Sequence, residues 1–251
     1  MSIRIINTEV CQNCKKETCA FIDRVTKIDS VFASEGTVCP TGALQANPSQ
    51  QNPFTKKECI DCGLCVGYCN KSNLEIENEA NKFNLEYCNS FGMNALVSNY
   101  LNKIFPFAAN SNRNSSVLFD GYVEIGEEKE AFVEVDEKDA LECLRNLLGD
   151  FLLYRGQYAN EVNTGLIVLT EIPPRGSSNV YTVIERMRMF PNLESKNIFI
   201  TTFSMLKYLF LHKKNDIVVF ENVFYNPLKE TIEEYTERIT KETGVCFSNL
   251  K

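Results

Sequence analysis

Residues 58–70 read ECIDCGLCVGYCN and place Cys59, Cys62, Cys65 and Cys69 at C-x2-C-x2-C-x3-C spacing. A loop with that spacing wraps three thiolates around one cubane iron–sulfur cluster and sends the fourth away to a second cluster. The chain therefore needs another set of cysteines. It has one upstream, in Cys11, Cys14, Cys19 and the Cys39-Pro40 pair. Zinc, the competing metal, favours two C-x2-C units closed around one tetrahedral ion. Three cysteines at even spacing with a Cys-Pro at a distance fit a cubane better. Cys88, Cys143 and Cys246 stand alone and read as small buried apolar residues.

The two cysteine groups form an internal repeat, the first half stretched by an insert between Cys19 and Cys39. On Cys59, Cys62, Cys65 and Cys69, with Cys39-Pro40-Thr41-Gly42-Ala43 as the tail of the other half, residues 1–90 resemble a bacterial-type dicluster ferredoxin domain. The resemblance implies an α+β ferredoxin-like fold and two [4Fe–4S] clusters with crossed ligation. One cluster would take Cys39, Cys59, Cys62 and Cys65, the other Cys11, Cys14, Cys19 and Cys69. The chain departs from that family in two places: the first motif is C-x2-C-x4-C, and Asn70 follows Cys69 where proline is usual.

The elements around these motifs are short. Ile3, Ile5 and Ile6 mark a strand, and Phe21, Ile22, Val25 and Ile28 have helical spacing. Beyond Cys88 the composition changes. Residues 91–105 read as a helix, 117–125 and 131–135 as a strand pair, and 138–158 as a long helix capped by Asp136 or Asp139. Residues 164–172, 197–202 and 216–220 are continuous apolar runs, the mark of strands buried on both faces. Helices are expected at 180–190, 204–213 and from Asn226 to about Thr243. This alternation predicts an α/β domain over residues 91–251 with a mixed, partly parallel sheet.

The element order of that second domain is similar to the PD-(D/E)xK nuclease superfamily, a restriction-endonuclease-like fold. The residues that carry the similarity are Asp120 in LFDG and Glu134 and Asp136 in FVEVD. The resemblance implies that these carboxylates bind Mg²⁺ or Mn²⁺, which polarises a phosphate for attack by water. Position 136 is aspartate where the motif has lysine; Lys138, Arg145 and Arg155 are the nearby cations. The plainer reading puts Asp120 in a turn, Glu134 on a solvent face and Asp136 at a helix cap.

Composition narrows the function classes. The net charge of −7 gives no support for a general nucleic-acid or anionic-membrane surface. Between residues 163 and 214, however, seven basic residues (Arg175, Arg186, Arg188, Lys196, Lys207, Lys213, Lys214) face only Glu171, Glu185 and Glu194. They form either a basic patch or scattered solvated charges. Arg175-Gly176-Ser177-Ser178 precede a helix, either as an anion cradle or as an ordinary capped loop. The single histidine, His212, reads as a surface residue at a helix end, so nucleophilic schemes that need a histidine base have little to use. No nucleotide fingerprint, secretory signal or apolar run of membrane-spanning length occurs. Many cysteines without a secretory signal point to metal binding in a reducing, cytoplasmic compartment. The sequence thus leads to an iron–sulfur protein that passes electrons to a protein partner or within a larger complex. The alternative is a nucleic-acid-binding or nuclease-like protein whose clusters are structural or sensing.

Overall fold

The computed structural model describes residues 3–7, 10, 39–41, 43–46, 53–55, 57–69, 71–76, 83, 85–88, 90–105, 121–126, 129–157, 162–176, 178–212 and 218–243. Cys11, Cys14, Cys19, Asp120 and Cys246 lie outside these residues. The chain divides into two compact units. The first is residues 1–100 with 207–214; the second is residues 101–206 with 215–251. The sequence-based boundary at 90/91 falls inside the first unit, and nothing in the linear pattern marks 207–214 as part of it.

The first unit carries two small antiparallel pairs. Strand β1 (Ile3–Ile5) pairs with β4 (Leu74–Ile76), and β2 (Leu44–Ala46) with β3 (Pro53–Thr55). In the β1–β4 pair Arg4 stands opposite Glu75 and the two side chains form an ion pair. Asn73 fastens the end of β1: its amide nitrogen donates to the Asn7 carbonyl, and its amide oxygen accepts from the Asn7 N–H. A short helix, α1 (Leu64–Gly67), follows the second cysteine motif's first turn. A 3-10 turn (Leu85–Tyr87) leads to α2 (Ser90–Ile104), whose Leu96, Val97 and Tyr100 are buried.

The second unit contains a four-stranded sheet in the order β5 (Gly121–Gly126), β6 (Lys129–Val135), β7 (Thr164–Leu169), β8 (Asn197–Thr202). Strands β5 and β6 form an antiparallel hairpin; β6, β7 and β8 run parallel. The sheet is therefore mixed and partly parallel, as the alternation of elements requires. Strands β7 and β8 are buried from their second residue onward, which explains their unbroken apolar runs. Helix α3 (Ala140–Gln157) packs on β6 and β7, with the Phe132 and Phe151 rings 5.5 Å apart. Gly165 gives that helix room: a Cβ there would sit 3.0 Å from Leu147 and 3.2 Å from Phe151. Helix α4 (Val180–Met187) connects β7 to β8, and α5 (Phe203–His212) follows β8 directly.

Two expectations fail past α5. The apolar run at 216–220 does not form the expected third buried strand over its described residues: 216 and 217 lie outside them, 218 and 219 are irregular, and Phe220 opens a short helix, α6 (Phe220–Val223). Its apolarity serves an aromatic cluster instead, with Phe220 against Phe105, Phe199 and Phe224 at 4.8–5.7 Å. The edge of β8 is met by Tyr225, which exchanges both backbone hydrogen bonds with Ile200.

The last helix, α7, spans Ile232–Thr243 rather than starting at Asn226. Asn226 makes a turn, its side-chain oxygen accepting from the Leu228 N–H. The helix begins where a reciprocal cap forms. The Thr231 hydroxyl accepts from the Glu234 N–H, and a Glu234 carboxylate oxygen accepts from the Thr231 N–H. Thr231→Ala is expected to lower stability by about 1 kcal/mol in a denaturant melt at pH 7. The Thr231 backbone N–H and then its hydroxyl hold the Glu234 carboxyl below its ordinary value. A carboxyl lowered in the folded state stabilises above its unfolded pKa and loses that contribution as pH falls through the folded one. The gap between wild type and Thr231→Ala therefore narrows below a pH of about 4.

Candidate metal centre

The backbone turns sharply around Cys62, in the middle of the second cysteine motif. Asp61 and Gly63 both take left-handed conformations (φ 56° and 75°), one on each side of Cys62. Aspartate tolerates this region better than most residues, and glycine takes it without cost. Two such reversals curl the chain around Cys62, and helix α1 then carries Cys65. Ile60, Cys62 and Leu64 are buried at 2%, 7% and 1% exposure.

Cys65, Cys39 and Cys59 lie within electrostatic reach of Cys62. Burial, first, and then the charge of Cys65 hold the Cys62 thiol well above its ordinary value; Cys39 and Cys59 push the same way. Cys65 is pushed up to about 12 by burial, then by Cys59 and Cys39. Cys39 is thus a spatial neighbour of Cys62 and Cys65 although it lies far away in sequence. Cys88 stands at the margin of the group, raised to about 11 by burial and by Cys39. None of the seven described cysteines is in a disulfide.

The sulfurs are met by N–H donors. The Leu44 N–H donates to Cys39 Sγ at 3.3 Å, and the Asn73 N–H donates to Cys69 Sγ at 3.4 Å. The Leu64 N–H bonds Cys62, and the N–H groups of Val66 and of Cys65 itself bond Cys65. These donors favour the thiolate, while burial and mutual repulsion oppose it. Without a metal the Cys62 and Cys65 thiols stay protonated and neutral; a bound metal would remove their protons and reverse the electrostatics. The donor set, soft sulfur with backbone N–H groups aimed at it, fits an iron–sulfur group. Among the described residues, no group of three or more Cys, His, Asp or Glu side chains is arranged to hold a metal ion.

Three residues outside the motifs shape this pocket. Tyr100 donates its hydroxyl to the Cys62 carbonyl. Phe210 fills the space left by Gly67, between the rings of Tyr68 at 5.6 Å and Tyr100 at 5.3 Å. Lys207 is buried, its ammonium 5.3 Å from the centre of the Phe83 ring. No local signal in the sequence singles them out, because nothing about their spacing refers to the cysteines. Cys69 accepts from the Asn73 N–H; Cys11, Cys14 and Cys19, its expected companions, lie outside the described residues.

The acidic residues of the second unit are arranged differently. Glu134 is 3% exposed, which corrects the plain expectation of a solvent face. It lies two residues beyond Phe132 on the same face of β6, toward α3, where Asn146 Nδ2 donates to its carboxylate at 3.3 Å. One Asp136 oxygen accepts from the N–H groups of Lys138 and Asp139, both at 2.8 Å, in the turn before α3. The cap of α3 is Asp139, whose carboxylate accepts from the Glu142 N–H. Asp120, the third member of the nuclease-like set, is outside the described residues. Glu134 and Asp136 thus have structural partners, and among the described residues no acidic group around them is arranged to hold a cation.

Among the described residues, the basic stretch at 163–214 does not form one exposed surface. Lys196 is buried and donates to the Val162 carbonyl and the Asn163 side chain, and Lys207 is buried beside Phe83. Arg186 and Arg188 are exposed; Lys213 and Lys214 lie outside the described residues. Arg175 donates to the Pro227 carbonyl at 2.7 Å and covers the Tyr181 ring, and Ser178 caps the Val180 N–H. The 173–179 loop is thereby held by internal bonds. His212 is exposed at the end of α5 and stacks on Tyr208. Among the described residues, no helix is long and apolar enough to cross a membrane.

Comparison with family models, with curated proteins and with solved structures finds no match to this chain.

Proposed function

We propose that this chain is an iron–sulfur protein that binds two [4Fe–4S] clusters and passes electrons to a protein partner, either a redox partner or a larger complex. The observation that carries this reading is the C-x2-C-x2-C-x3-C spacing of Cys59, Cys62, Cys65 and Cys69, with Cys39 within electrostatic reach of Cys62 and Cys65. The C-x2-C-x2-C motif by itself supplies three ligands, and the fourth arrives from the other half of the repeat. Cys39, Cys59, Cys62 and Cys65 would hold one cluster; Cys11, Cys14, Cys19 and Cys69 would hold the other. When bound, such clusters supply one-electron chemistry at potentials set by burial and by hydrogen bonds to sulfur. The chain's own contribution is the N–H donors from Leu44, Leu64 and Val66 and the apolar wall of Ile60 and Leu64. The two antiparallel pairs β1–β4 and β2–β3 are in keeping with a ferredoxin-like unit.

A cluster is preferred to a single zinc ion on size. Four thiolates at about 2.3 Å from one tetrahedral ion lie within about 4 Å of one another. A cubane spreads its four ligands wider, and three cysteines at even spacing with a Cys-Pro at a distance suit that spread better than two closed C-x2-C pairs. The nuclease-like alternative draws no comparable support, since Glu134 is buried against α3 and Asp136 is bonded within a turn.

Protein purified without oxygen is expected to contain about eight iron and eight acid-labile sulfide per chain, the content of two cubanes. Zinc without sulfide would overturn the reading. Reduced protein should give the electron paramagnetic resonance of reduced [4Fe–4S] centres. Clusters that accept no electron would remove electron transfer and leave a structural role.

A further inference from the structure

Three buried side-chain atoms that make no hydrogen bond, Thr201 Oγ1, the Tyr225 hydroxyl and Asn226 Nδ2, lie within one residue of the bridge between Ile200 and Tyr225. Each has given up its bonds to water without a replacement, which native interiors rarely tolerate. Thr201 shares a face of β8 with Phe199, on the side of the aromatic cluster. Tyr225 is on the other face with Ile200, its ring 6.4 Å from Tyr181 and 5.4 Å from Tyr235, and it is 0% exposed.

Arg175, from the loop after β7, stands over the same rings. Its guanidinium carbon is 5.7 Å from the centre of the Tyr181 ring, and Nη2 donates to the Pro227 carbonyl, two residues past Tyr225, at 2.7 Å. Burial raises the Tyr225 pKa, and the adjacent guanidinium opposes that rise without a hydrogen bond of ordinary geometry. Arg175 is exposed and, among the described residues, makes that one hydrogen bond and no ion pair, so most of its N–H donors are unused. Glu230, the acidic residue of the turn after Tyr225, is taken up by Arg238. Tyr181 also places Arg175 beside the first turn of α4. Ser178 bonds the Val180 N–H there and Asn179 makes no side-chain cap, so the Tyr181 and Thr182 N–H groups have no partner within the helix.

We infer that Arg175, Tyr225 and the first turn of α4 form a binding site for a small oxyanion, the phosphate or carboxylate group of a ligand. The site lies at the carboxyl ends of parallel strands β7 and β8, where open α/β sheets bind their ligands. Arg175 is the outer donor and meets the anion from solvent. By turning from the Pro227 carbonyl it lets the anion reach the inner donor, the Tyr225 hydroxyl, which is unpaired until then. The α4 N–H groups add a positive helix end.

The test is thermal melting of the anaerobically purified full chain in inorganic phosphate, in acetate and in chloride at matched ionic strength. Phosphate or acetate should raise Tm above its chloride value, and a rise with one alone names the group. Tyr225→Phe should melt in chloride at or above wild type, because the hydroxyl it removes has no bond to lose. Its rise with the anion should shrink. A hydrogen bond to a charged group changes affinity by about tenfold or more. At an anion concentration about ten times the wild-type Kd, a site tenfold weaker keeps about a third of the rise. Arg175→Gln should lose at least as much, while Arg188→Gln, an exposed arginine beyond α4, should keep the full rise. The proposal is overturned if neither anion exceeds chloride, or if the rise stays whole in Tyr225→Phe or Arg175→Gln. Equal loss in Arg188→Gln also overturns it, since the anion would then be screening surface charge. So does a Tyr225→Phe protein that melts well below wild type in chloride, because its hydroxyl was then bonded. These readouts leave the cysteines untouched, so the iron–sulfur reading stands or falls separately.

Discussion

Cys62→Ser is expected to remove one whole cluster, taking iron from about eight to about four per chain with sulfide falling in parallel. Cys62 is the most enclosed of the gathered thiols, flanked by two left-handed residues that aim it inward. Serine keeps the volume but replaces a soft, easily ionised ligand with a hydroxyl that does not ionise at neutral pH. The free energy of metal coordination is part of the folding free energy of a small metal domain, so the loss should also cost on the order of several kcal/mol of stability in the first unit. Cys39→Ser should remove the same four irons, because the proposed ligand set joins it to Cys59, Cys62 and Cys65 and it lies within electrostatic reach of the last two. Cys143→Ser, in the buried face of α3, should retain all eight. Metal analysis of the three variants reads the result directly. Full iron in Cys62→Ser would remove it from the ligand set, and additive losses in a Cys39→Ser/Cys62→Ser pair would mean that the two hold different groups.

Gly67→Ala is the second large effect, and its sign separates tertiary packing from local preference. Inside a helix, alanine in place of glycine is favourable by up to about 1 kcal/mol. Here the new Cβ would fall 1.9 Å from Phe210 Cε1 and 2.2 Å from its Cζ, distances no pair of carbons tolerates. Phe210 has little room to yield: it is 1% exposed and held between Tyr68 and Tyr100. Overpacking of this kind costs about 1–3 kcal/mol. For a unit of roughly 100 residues, each kcal/mol moves Tm by about 4–8 °C, so a fall of roughly 5–20 °C is expected. Phe210→Leu alone leaves a void and also destabilises. The double variant should be more stable than the two single effects predict, because leucine vacates the space that the alanine methyl takes. A Gly67→Ala protein that melts at or above the wild-type temperature would show that Phe210 does not occupy the space beside α1.

The strands and helices that were legible in the sequence are those whose partners are generic. Residues 197–202 show one unbroken apolar run, and β8 has those bounds because both of its faces are covered. Helices α2, α3 and α5 appear within two residues of their expected ends, since a buried stripe repeats along each of them. The run at 216–220 has the same composition as a buried strand, but Phe220 is wanted by the cluster of Phe105, Phe199 and Phe224 rather than by a sheet. An apolar pattern reports burial and not the identity of what buries it. The start of α7 was misplaced for a related reason: Asn226-Pro227 looks like a helix start, and only the reciprocal bonds between Thr231 and Glu234 show where the helix begins.

The sequence by itself determined which thiols are available and that three of them lie on one loop, because the spacing of Cys59, Cys62 and Cys65 is a local property of the chain. It also determined the mixed sheet of the second unit, through the alternation of strand and helix patterns. Only the tertiary structure decided what surrounds the loop. Cys39 comes within electrostatic reach of Cys62 across the repeat, Glu134 turns into the packing beneath α3, and Phe210 packs against the cysteine loop at Gly67 from a helix that follows β8. Each of these depends on contacts between residues far apart in sequence. Burial and facing charge are set by those contacts, and no spacing along the chain encodes them.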